Sequence, residues 1–84
     1  MGKFEKLIEK ILLGSADANI DFDDLCGVLV SFGFSKRSKG SHHIFSKPGL
    51  EELINLQSDG SKAKPYQVRQ VRAIIQRNNL WSRE

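Results

Sequence analysis

Apolar positions along the chain set its elements. Phe4, Leu7, Ile8, Ile11 and Leu12 recur at i, i+3, i+4, i+7 and i+8, which places them on one face of a helix over residues 3–13. Gly14 and Ser15 end that pattern, and residues 15–19 read as a short polar link. Asp21 then reads as an N-cap with Asp24 three residues on, and Ile20 and Leu25 stand at the two positions of a hydrophobic staple. Phe22, Leu25, Leu29 and Phe32 line the second helix, which Gly33 suits as its C-terminal cap. From Phe34 the helical period is lost. Residues 34–38 read as a basic strand, Lys39-Gly40 as a tight turn, 41–47 as a second strand and 52–57 as a third. Pro48-Gly49 and the loop 58–61 supply the intervening turns. Pro65 fits the first turn of a last helix with Val68, Val71, Ile74 and Ile75 as its apolar stripe. Arg69, Arg72, Gln76 and Arg77 fall on or beside its outward face. Leu80 and Trp81 are expected to fold back on the core, and the last three residues to fray.

The element order α-α-β-β-β-α predicts an α+β fold. A three-stranded meander has one face for helices to cover, and the last five elements have the order of a double-stranded-RNA-binding domain. At 84 residues the chain is read as one domain over 1–84, with one small core. Neither an apolar run of roughly 18 residues nor a secretory leader is legible. The expectation is therefore a cytoplasmic protein that does not enter a membrane. The single cysteine, Cys26, excludes an intrachain disulfide and reads as a small apolar core residue rather than a reactive thiolate.

The net charge of +3 hides an asymmetry. Residues 1–34 carry three Lys against six Asp and Glu, whereas residues 35–84 carry ten Lys and Arg against four. An excess of six positive charges on the second half suits RNA or an acidic protein, although a solvated charged face is the plain alternative.

Candidate chemistry concentrates in Lys39-Gly40-Ser41-His42-His43-Ile44-Phe45. Adjacent histidines on a strand point to opposite faces, so they cannot share one metal ion. With no third histidine and no paired carboxylates nearby, neither a metal nor any other cofactor is expected. One exposed histidine can still move a proton near neutral pH. RNA suits so small a site because its 2′-hydroxyl is its own nucleophile; the protein need supply an acid or base and positive charge. Lys39 and Lys47 flank the histidines, Lys62 and Lys64 precede the last helix, and Arg69 lies on that helix. Tyr66 is a candidate to stack on an unpaired base, as is Phe45, although Phe45 also reads as core, since only one of Ile44 and Phe45 can face the helices. Taken alone, the residues indicate a small basic α+β domain suited to RNA, with both histidines structural as the competing reading.

The same string resembles the HicA-type (YcfA-like) toxins of bacterial type II toxin–antitoxin pairs. The likeness extends over roughly residues 21–80, through Phe32-Gly33-Phe34, Gly40-Ser41-His42-His43-Ile44-Phe45 and Lys64-Pro65-Tyr66-Gln67-Val68. It implies a double-stranded-RNA-binding-like fold and cleavage of mRNA without a metal, which inhibits translation. It also implies neutralisation by a HicB-like antitoxin. In that family the histidine directly after Gly-Ser is usually the one assigned to catalysis, which maps onto His42. His43 is the alternative, and Gly40 and Ser41 form the active-site loop. Two departures stand out: the helix at 3–13 precedes the usual start, and Ser61-Lys62-Ala63-Lys64-Pro65 lacks the His-Pro character common before the last helix. The first reads as an added packing or partner surface, and the second leaves a non-catalytic RNA-binding module of the same fold as the alternative.

Overall fold

The first apolar stripe does form a helix: α1 spans Lys3–Leu13 in a computed structural model that describes residues 3–81. The expected fraying of the last three residues lies outside the described residues. Ile8 and Ile11 are buried, and Phe4 lies over α2, Phe22–Ser31, where Gly27 makes room for it. A Cβ on Gly27 would stand 3.0 Å from the Phe4 ring, so the missing side chain sets how closely the two helices approach. The polar link tightens into a 3₁₀ turn, Asp17–Asn19.

Asp21 does precede α2, but its carboxylate makes no bond to the first-turn amides and takes Lys62 Nζ instead, at 2.7 Å. The main chain here pairs across the molecule. Phe22 N–H donates to Ser61 O (2.9 Å) and Ala63 N–H to Ile20 O (2.8 Å), which fastens the start of α2 to the segment before the last helix. At the other end of α2, Gly33 adopts φ 97°, a left-handed conformation that favours glycine and releases the chain into the sheet.

Three antiparallel strands follow in the order β1 (Ser35–Lys39), β2 (His42–Ser46) and β3 (Ile54–Gln57). Phe34 precedes the ladder: its N–H donates to Leu29 O at 3.2 Å, closing the end of α2, and its ring is buried in the core. Glu52 and Leu53 also lie outside it, and the Glu52 carboxylate takes Arg77 and Asn78 near the end of the last helix. The two-residue connection Gly40-Ser41 puts only Gly40 at positive φ (61°), the arrangement of a type II′ hairpin. This register settles which histidine faces where. His43, Phe45, Ile54 and Leu56 share the face covered by helices, and His42, Ile44, Asn55 and Gln57 share the open one.

The last helix, α3, runs Pro65–Arg77 and buries Val68, Val71, Ile74 and Ile75 against Phe45, Ile54, Leu56 and the apolar faces of α2 and α1. Leu80 and Trp81 do fold back, with the Trp81 ring edge-on to Phe32 at 6.4 Å between centroids. Phe45 is fully buried, as its core reading has it, and alternation gives the open face to Ile44, so of the two stacking candidates Tyr66 stays accessible. One expectation is corrected. Arg72 is not outward: its guanidinium grips Asp17 at 2.8 and 3.2 Å and donates to Ile11 O at 3.1 Å. One side chain thus pins the end of α1, the 3₁₀ turn and α3 together. The result is the α+β, double-stranded-RNA-binding-like layer of α2-β1-β2-β3-α3, with α1 added on the helical side.

Candidate nucleic-acid interface

Cross-strand pairing assembles the open face in rows. Lys39, His42 and Gln57 form the row nearest the hairpin, and Arg37, Ile44 and Asn55 the next. Directly paired side chains on one face stand about 5 Å apart at Cβ and diagonal neighbours about 7–8 Å. Lys39 is thus beside His42, and Arg37 lies one diagonal step away. No acidic residue is among these positions. His42 itself is exposed. The open face therefore sets an exposed imidazole beside one cation in its own row, Lys39, and a second, Arg37, in the next.

His43 occupies a different environment. It is half-buried on the helical face, with Nδ1 3.0 Å from the Ser38 hydroxyl and its ring 5.2 Å from that of Phe22. These contacts hold the imidazole against the start of α2.

A chain of hydrogen bonds fixes the His42 row. Ser58 N–H donates to Ser41 O at 3.0 Å, joining the end of β3 to the hairpin turn just before His42. The next link is Gln67, the one buried polar side chain among the described residues. Its amide donates to Gln57 O (2.9 Å) and accepts from Lys64 N–H (3.0 Å). The start of α3 is thereby tied to the strand opposite His42. Tyr66, in the first turn of α3, remains exposed beside Gln57, Ser58, Asp59 and Lys64.

The structure places the other expected basic residues variously. Lys64 stands near the row, paired with Asp59 at 3.0 Å. Lys62 is engaged with Asp21. Lys47 follows the far end of β2, roughly 16 Å of strand from His42, and its ammonium donates to Phe32 O at 2.8 Å, closing the end of α2. Arg69 is exposed on α3, three residues after Tyr66, and its charge helps hold the Asp17 carboxyl below its usual range, after the larger effect of Arg72. Arg37, Gln57 and Gln67 were not singled out from the sequence. The i, i+2 spacing of Arg37 and Lys39 carried the signal for Arg37 once the hairpin register was known.

Burial pushes the Cys26 thiol up to about 11, so it carries no nucleophilic thiolate. Among the described residues, no three His, Cys, Asp or Glu side chains stand together as a metal site, and no helix is long and apolar enough to cross a membrane.

A family model described as the HicA toxin of bacterial toxin–antitoxin matches residues 22–77, from the first residue of α2 to the last of α3. The chain belongs to the HicA toxin family. The match covers the sheet, both helices packed on it and the His42 row, while α1 lies before it. The protein is thus a toxin of a bacterial toxin–antitoxin pair, and its partner is an antitoxin. No curated protein and no solved structure matches it.

Proposed function

We propose that this HicA toxin is a ribonuclease that cleaves mRNA in the cytoplasm without a metal and so inhibits translation. The observation that carries the reading is the placement of His42. It is the exposed histidine of the pair, on the open face of the sheet, in one row with Lys39 and Gln57 and next to Arg37. In the reaction the RNA 2′-oxygen attacks the adjacent phosphorus and the P–O5′ bond breaks, giving a 2′,3′-cyclic phosphate and a 5′-hydroxyl. His42 either takes the 2′-hydroxyl proton or supplies one to the leaving 5′-oxygen. Lys39 and Arg37 offset the charge that builds on the phosphoryl oxygens. A HicB-like antitoxin that covers the open face would keep RNA from all of these groups at once.

His42→Ala tests the assignment. An exposed strand residue contributes little packing, so its stability should change by no more than about 0.5 kcal/mol. Cleavage of an RNA oligonucleotide in a chelator-containing buffer should fall by about 10²–10⁴-fold, the usual contribution of a general acid or base. His43→Ala, which removes the Ser38 bond and the Phe22 contact, should lower the melting temperature more than the rate. Wild-type cleavage by His42→Ala would remove this residue from the mechanism. RNA binding by the wild type without cleavage would select a non-catalytic binding module.

A further inference from the structure

At the Gln57 end of the His42 row, a groove of about 220 Å³ opens between β3 and the first turn of α3. It is lined by Gln57, Ser58, Asp59, Lys64 and Tyr66. Tyr66 leaves 58% of its surface exposed, whereas the apolar stripe of the same helix is buried, so no packing role accounts for the ring. Lys64 is paired with Asp59 across the groove, which leaves the groove close to neutral and poorly suited to a phosphate. An aromatic wall with an amide and a carboxylate beside it is instead suited to a flat heterocycle that has hydrogen-bonding edges.

We propose that this groove is a nucleobase subsite, which takes one unpaired base of an RNA strand whose phosphates cross Arg37, Lys39 and His42. The proposal rests on the RNA reading of the His42 row and extends it to a separate part of the surface. Tyr66 stacks on the base, and the Gln57 amide and Asp59 carboxylate meet its edge. Gln67 holds the two walls in register, because its single side chain binds both Gln57 O and Lys64 N–H. The nucleotide at the scissile phosphate and the stacked base are then held by one continuous hydrogen-bonded frame.

The test uses the full chain carrying His42→Ala, so that RNA is bound without being cut. Affinity is measured for a single-stranded RNA nonamer and for the same nonamer with one abasic ribonucleotide moved along its length. Adding Tyr66→Ala should weaken binding of the intact nonamer by about 5–150-fold, the equivalent of roughly 1–3 kcal/mol for one stacked base. Tyr66→Phe keeps the ring face and should restore the affinity to within about threefold. The abasic scan should show one position of strong loss, and Tyr66→Ala should abolish that position dependence. Melting temperatures of both variants should match that of the parent because the ring is exposed. Unchanged affinity in Tyr66→Ala, or a scan that is flat in the parent, overturns the subsite while leaving the RNA reading of the row in place. No RNA binding by the parent overturns both.

Discussion

Gln67 offers the sharpest test of how the fold holds the candidate interface. The side chain is 1% exposed and makes two hydrogen bonds, to Gln57 O at 2.9 Å and from Lys64 N–H at 3.0 Å. Gln67→Met keeps the length and approximate volume but removes both partners. A buried polar group left without a partner costs about 1–3 kcal/mol. Gln57 and Lys64 are themselves exposed residues, so water can partly replace the lost bonds and the low end applies to each. The sum is about 2 kcal/mol, which for a domain of this size lowers the melting temperature by roughly 8–16 °C. Thermal melting at pH 7 reads the total, and amide exchange locates it. Protection should fall at Lys64, whose bond to Gln67 is lost, and at Ser58, the residue next to Gln57 in the same chain of bonds. Gln67→Glu supplies the sign. Its carboxylate retains the acceptor for Lys64 N–H but faces Gln57 O with negative charge. That variant should be the less stable of the two at pH 7 and should recover as the pH falls through the carboxylate range, where a protonated Glu can again donate. A melting temperature for Gln67→Met within about 2 °C of wild type, with Ser58 still protected, would refute the argument.

Two further outcomes follow from the charges. Arg72 holds the Asp17 carboxyl below its ordinary value of 3.8, so that ion pair stabilises the fold fully above this pH and is lost as the pH falls through the lowered value. Asp17→Asn should therefore melt below wild type at pH 7, with the gap closing under about pH 4; a gap independent of pH would show that the charge on Asp17 is not what matters. On the open face, RNA affinity should fall by roughly 0.7 log units per log unit of salt for each phosphate held. Arg37→Ala with Lys39→Ala should flatten that slope by more than Lys47→Ala, whose ammonium is bound to Phe32 O. Equal slopes would remove the open face from RNA binding.

The sequence by itself determined the elements and their order, because each is encoded within a few residues. The α1 stripe, Gly33 after α2, Gly40 at the hairpin and Pro65 at the start of α3 act locally, and the structure shows each of them in that role. Strand ends were less legible. Phe34, Glu52 and Leu53 lie within apolar alternation that reads as strand, but the end of α2 takes the Phe34 N–H, and Arg77 and Asn78 take the Glu52 carboxylate. The two histidines could be placed on opposite faces from alternation alone, yet not which face was open. That depended on the register of the hairpin, set by the two-residue turn and by burial of Phe45, Ile54 and Leu56. The basic residues show the same division most clearly. Their number and asymmetry are properties of the sequence, but a charge is available to a ligand only if nothing in the fold has already taken it. Lys47 is taken by the end of α2, Lys62 by Asp21 and Arg72 by Asp17, partners 15, 41 and 55 residues away. Arg37 and Lys39 come to stand beside His42 because antiparallel pairing brings positions i and i+2 of one strand onto the same face as their partners on the next. Contacts of such separation are decided by packing of the whole chain, which no local pattern records.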